Sequence, residues 1–201
     1  MIRAPAAFAA LALLASCAAL QAPEPDRASV YLLEAAPATG APRPKRDVVL
    51  AISMPRARPG FDTPMMAYTQ RPNALEYFAK NRWVDTPAHM LAPLLAQALE
   101  RSSGFRAVVQ APSSTLAGLR LDTELVRLEQ DFSVKPSRVR FALRAQLIDT
   151  GARRVLASAE FDETEAAPSD DPYGGVIAAN RALGRLLDRL VDFCTATRAE
   201  R

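Results

Sequence analysis

The plainest hydrophobic pattern lies in the second half of the chain. Leu119 to Phe132, Arg138 to Asp149 and Arg154 to Glu165 are three long stretches of strand character, joined at Lys135-Pro136-Ser137 and Asp149-Thr150-Gly151-Ala152. Short turns between such runs predict an antiparallel meander. In the middle stretch Val139, Phe141, Leu143, Ala145 and Leu147 fall on one face, and Arg138, Arg140, Arg144 and Gln146 on the other. Period-2 alternation of this kind places one face in a core and the other in water. Upstream, Val30 to Leu33, Val48 to Met54 and Phe105 to Gln110 read as shorter strands, with Pro55 and Pro59 ending the second. Met65 to Thr69 and Ala74 to Phe78 flank Gln70-Arg71-Pro72-Asn73 and predict a hairpin.

Two segments change the period from two to between three and four. Thr86-Pro87 offers a cap followed by Pro at the first helical position; Met90, Leu91, Leu94, Leu95, Ala98 and Leu99 then form one apolar face until Ser102-Ser103-Gly104. Pro93 lies inside this helix and is a candidate kink. Asp170-Asp171-Pro172 repeats the cap signal ahead of Val176, Ile177, Leu183, Leu186, Leu187, Leu190, Val191 and Cys194, an amphipathic helix of about five turns. Two such helices and one amphipathic sheet bury each other's apolar faces. The expected fold is therefore α+β and two-layered, a mainly antiparallel sheet with both helices on one face.

Composition narrows the function. The chain has 201 residues, 49% hydrophobic and 23% charged, enough for one domain with a real core and incompatible with low-complexity disorder. Its 25 basic and 22 acidic residues are interspersed without a basic stripe, so no nucleic-acid partner is expected. One His and two Cys, with no C-x-x-C or H-E-x-x-H spacing, leave no metal site to predict, and no cofactor is expected. The absence of G-x-x-x-x-G-K-[ST] removes a P-loop ATPase.

The N-terminus carries an address. A basic start, Met1 to Arg3, precedes an apolar run from Ala4 to Leu14 that has signal-peptide length and falls short of the ~20 residues of a membrane span. It ends in Leu14-Ala15-Ser16-Cys17, which resembles the lipobox of bacterial lipoproteins. Small side chains there let an extended backbone enter a signal peptidase, and the Cys17 thiol accepts a diacylglyceryl group. Residues 1–16 are thus expected to be removed by cleavage between Ser16 and Cys17, residues 17–28 to be a lipidated tether stiffened by Pro23 and Pro25, and residues 29–201 to be a single periplasmic domain. The alternative is an ordinary secretory signal cut after Ala18-Ala19. Ala18 in place of Asp after the Cys resembles the outer-membrane sorting pattern. With Cys17 acylated, Cys194 has no partner in its chain and reads as a buried small hydrophobe.

Several residues invite a chemical role. His89, the only imidazole, has no nucleophile or ligand at a fitting spacing and reads as a solvated or half-buried helix residue. Asp162-Glu163-x-Glu165 and Asp170-Asp171 are more simply a solvated strand end and a helix cap than an acid/base or Ca²⁺ site. Tyr173-Gly174-Gly175 eases packing at a helix start or brings bare backbone to a ligand. Met65, Met66, Tyr68, Tyr77, Phe78 and Trp83 concentrate the side chains that interfaces favour, and alternating strand faces cannot bury all six. Met66, Tyr68, Tyr77 and Trp83 are accordingly candidates for binding a partner or a second copy of the chain.

The order of these features has a family likeness. The lipobox Cys17, Tyr31 and Leu33 after the tether, an aliphatic strand running into Pro, then Met66-Ala67-Tyr68, Pro72-Asn73, Leu75-Glu76-Tyr77, Trp83 and the helix capped at Thr86 resemble the ABC-type transport auxiliary lipoproteins. Within them they resemble the PqiC lipoproteins of MCE-type intermembrane lipid transport. The likeness is most specific from Tyr68 to Leu99; the C-terminal half agrees in the order of its elements. It implies a non-enzymatic outer-membrane lipoprotein that meets a periplasmic MCE-domain protein of an ABC transport system. A stand-alone periplasmic lipid- or ligand-binding lipoprotein is the other class left open, and a lipid-sized apolar cavity would favour it. A hydrolase lacks a nucleophile and base.

Overall fold

The meander organises the sheet. In the computed structural model, which describes residues 28–35 and 45–197, it comprises β7 (Leu119–Asp131), β8 (Arg138–Asp149) and β9 (Arg154–Ala166). β8 pairs antiparallel with both neighbours along its whole length. Before it come β1 (Ser29–Tyr31), β2 (Arg46–Ile52), β3 (Arg56–Ala57), β4 (Met65–Thr69), β5 (Glu76–Trp83), α1 (Pro87–Arg101) and β6 (Phe105–Gln110); α2 (Pro172–Ala196) follows. The fold is α+β, with one sheet of nine strands and two helices among the described residues.

The sheet is mixed, which corrects the expectation of a mainly antiparallel one. Three short strands lie end to end along the other edge of β7, all parallel to it. β2 pairs with Leu119 to Leu121, β3 with Glu124 and Leu125, and β4 with Glu129 to Asp131. β6 adds to β2 and β1 adds to β5, again in parallel. Alternation along a strand reports which face is buried but carries no record of strand direction. α1 carries the chain from β5 across the sheet to β6, which lies beside β2.

One hydrophobic cluster joins the elements. α1 lies against β6 and β2, α2 against β9 and β8, and the helices touch one another. Leu91, Leu95 and Leu99 of α1, Leu183, Leu186 and Leu187 of α2, and Leu121, Phe141 and Leu143 of the sheet are inaccessible to solvent. Each such side chain contributes about 1.5–3 kcal/mol of burial. The opposite face of the meander is ionic: Arg140 holds Asp162 through Nε at 3.0 Å, and Arg144 reaches Glu160 at 2.9 Å and Glu124 at 3.4 Å.

Both helices start at the predicted caps. Thr86 Oγ1 accepts from His89 N at 3.4 Å, and Asp171 Oδ1 from Gly174 N at 2.8 Å. α2 has 25 residues, more than five turns, because it begins at Pro172 and runs through Gly174 and Gly175. A Cβ on Gly174 would lie 2.2 Å from the Ser169 carbonyl oxygen, and one on Gly175 2.2 Å from Gln130 Oε1, so these glycines serve close packing at the helix start. At the other end, Arg46 Nη1 donates to the carbonyls of Cys194 (3.1 Å) and Thr197 (2.7 Å), placing a cation where the helix exposes its negative end.

Candidate partner-binding surface

The Met and aromatic cluster divides between the two sides of the β4–β5 hairpin. Met66 and Trp83 face the helices and are core residues, each 4% exposed, so neither offers a side chain to a partner of the folded monomer. A register shift between Met65 and Ala67 brings Met65 opposite Arg82, and with it Trp83 turns inward. Tyr77 is half-buried and donates from its hydroxyl to the Gly60 carbonyl at 2.9 Å, pinning a loop in which Gly60 has φ +92°. Tyr68 is half-buried at the end of β4.

Tyr68 packs with Phe78 of the same cluster and with Phe132, which the sequence pattern did not single out. Its ring lies 4.5 Å from that of Phe78 and 5.9 Å from that of Phe132, with Phe78 and Phe132 6.2 Å apart. All three are half-buried, beside the cap and first residue of α2, Asp171 and Pro172. The only sequence signal for Phe132 was its position at the very end of a strand, just beyond the buried run. The rings line an open depression of about 620 Å³ rimmed by Gln70, Lys135 and Asp170. Tyr68 donates to Glu76 Oε2 at 3.0 Å, and this hydrogen bond raises the phenol above its ordinary pKa. On the rim the Ser137 N–H, at 2.6 Å from Oδ1, holds Asp170 below the usual carboxylate range, as the Gly174 N–H does for Asp171. The depression is an apolar floor with fixed charges at its edge, the make-up of a protein contact.

The other candidates are committed elsewhere. His89 is 57% exposed at its side chain and lies 3.3 Å from Asp85. Asp162 and Glu163 leave β9 on opposite faces: hydrogen bonds from Arg140 hold Asp162 below the usual carboxylate range, while Glu163 and Glu165 accept from Arg185 of α2. A second open depression, about 790 Å³, lies under the hairpin tip, and its floor is the ionic lattice of Arg127, Glu129, Asp131 and Arg138. Among the described residues no three His, Cys, Asp or Glu side chains converge as a metal site. Cys194 is inaccessible, and burial pushes its thiol up to about 12. Ser16, Cys17 and the tether lie outside the described residues.

The model of the ABC-type transport auxiliary lipoprotein component family matches residues 31–191, from the last residue of β1 into the final turns of α2. The chain belongs to that family. Its fold is similar to the crystal structure of protein XCC0632 from Xanthomonas campestris, of the DUF330 family model, with a TM-score of 0.77 at 22% identity over 84% of this chain and 96% of that one. The hypothetical protein CT253 from Chlamydia trachomatis is similar at a TM-score of 0.53 and 10% identity, over 76% of this chain and 98% of that one. No curated protein matches the sequence.

Proposed function

We propose that this transport auxiliary lipoprotein is anchored in the outer membrane through Cys17, faces the periplasm, and acts without catalysis as the docking subunit of an MCE-type ABC intermembrane lipid transport system. The observation that carries the proposal is the family match across the folded domain, joined to a half-buried aromatic floor outside the core. Tyr68, Phe78 and Phe132 supply contact area at little cost in side-chain entropy, and Lys135 with Asp170 supplies the polar rim. A periplasmic MCE-domain protein is the partner, and the lipidated tether confines the encounter to one membrane.

The apolar space beside the aromatic floor is too small to hold a lipid. The apolar space bounded by Met66, Phe78, Trp83 and Gln130 measures about 10 Å³, room for roughly one water, and the two larger depressions are open and edged by charge. An acyl chain needs far more enclosed apolar volume.

Affinity purification of the full-length acylated protein from membranes, with identification of bound proteins and of the N-terminal residue, tests the proposal. Recovery of an MCE-domain protein together with an acylated Cys17 is the expected result. A protein that begins at a later, unmodified residue, or that brings down no transport component, overturns it.

A further inference from the structure

The sheet face turned away from the helices carries an apolar row at its β1 edge. Val30 pairs with Arg82, and Arg82 with Met65, so these three side chains stand abreast on one face. Two residues further along their chains, Leu32 and Val84 follow on the same side, kept in line by the bond from Val84 N to the Tyr31 carbonyl at 2.8 Å. Their neighbours Leu33, Met66 and Trp83 are buried, yet Val30 is 47%, Leu32 49%, Met65 46% and Val84 55% exposed. Single exposed hydrophobes are ordinary; four adjoining ones mark a contact surface. Arg82, in their midst, is exposed and has no ion-pair partner among the described residues.

What covers this row follows from where the chain enters. β1 is an edge strand, and the residues that precede it lead to Cys17. The stretch from Cys17 to Ser29 reaches at most about 40 Å. A domain held that near a bilayer meets it first at the root of its tether, which is where the row lies. Aliphatic side chains around one cation suit the boundary between acyl chains and phosphates.

We infer that Val30, Leu32, Met65 and Val84 rest on the phospholipid surface in which Cys17 is anchored, with Arg82 on a lipid phosphate. The inference rests on the anchor in the proposed function and adds an orientation to it. Met65 and Tyr68 point to opposite faces of β4, so lipid contact on one face leaves the aromatic depression open to the periplasm.

The test uses the full-length acylated protein in vesicles of phosphatidylethanolamine and phosphatidylglycerol that carry a spin-labelled phospholipid as quencher. Thiol-reactive fluorophores are placed on Leu32→Cys and Val84→Cys, with Val155→Cys on β9, at the far edge of the sheet, as control; Cys194 is buried and takes no label. Flotation with the vesicles reads the anchor separately. The inference expects floating protein whose probes at 32 and 84 lose most of their intensity to the quencher while the probe at 155 keeps its own. Floating protein with equal quenching at all three positions, or none, overturns the contact and leaves the anchor standing. Probes at 32 and 84 that become shielded in detergent as protein concentration rises show a second copy on the row and overturn it as well. Protein that does not float overturns anchor and contact together.

Discussion

Tyr68 and Phe78 pack ring to ring across the β4–β5 hairpin, centroids 4.5 Å apart and planes tilted by 33°, beside the start of α2. Interface energy concentrates in such half-buried aromatics, so Tyr68→Ala should weaken the complex with the transport partner by about 2 kcal/mol or more. The substitution lies at the edge of the core and should leave the folded state intact. Paired measurements of partner affinity and far-UV circular dichroism on the variant check both halves of the statement.

Leu187 tests the helix packing. It is inaccessible to solvent between α2 and the meander, and Leu187→Ala should cost about 2–5 kcal/mol through lost burial and the cavity left behind. Urea unfolding measures the loss, and an unchanged midpoint would mean that α2 is held by something other than this face.

Much of this architecture was legible in the chain, for local reasons. Thr86-Pro87 and Asp171-Pro172 mark helix starts because a side-chain acceptor precedes a residue that needs no N–H partner, and the alternation from Val139 to Leu147 separates core from water without ambiguity. Pairing direction was not legible, because the residues that make β2, β3 and β4 run parallel to β7 are far away in sequence and leave no trace in their alternation. β3, two residues between Pro55 and Pro59, is too short to carry a period at all. At the candidate surface the register shift in the hairpin decided the outcome: it sends Met66 and Trp83 into the core and leaves Tyr68 at the rim, where Phe132 joins it from the end of a strand.

Acid should weaken the domain in a defined window. Asp162, Asp170 and Asp171 are all held below their ordinary values by hydrogen bonds in the folded state. The stability they contribute is therefore complete above the unfolded carboxylate value of about 3.9 and is lost as pH falls through the lower folded values. Melting temperatures recorded from neutral pH downward should hold and then drop in that range. Asp162→Asn should start lower and show a shallower drop, because it removes one of the titrating partners of the ionic face.

The thiols should separate into one acylated and one hidden. Burial pushes Cys194 up to about 12, so the native mature protein should show no reactive thiol at mildly alkaline pH and one after denaturation. Two reactive thiols in the denatured protein would identify Cys17 as unmodified.

The central claim, that this lipoprotein docks a transport partner through the Tyr68 surface, is met most directly by site-specific photo-crosslinking in intact membranes. A photoreactive residue is placed at position 68, and a control at Val155, which is exposed on the far edge of the sheet. The account predicts an adduct with a periplasmic MCE-domain protein from position 68 and none from position 155. No adduct at 68, or the same adducts from both positions, would contradict it.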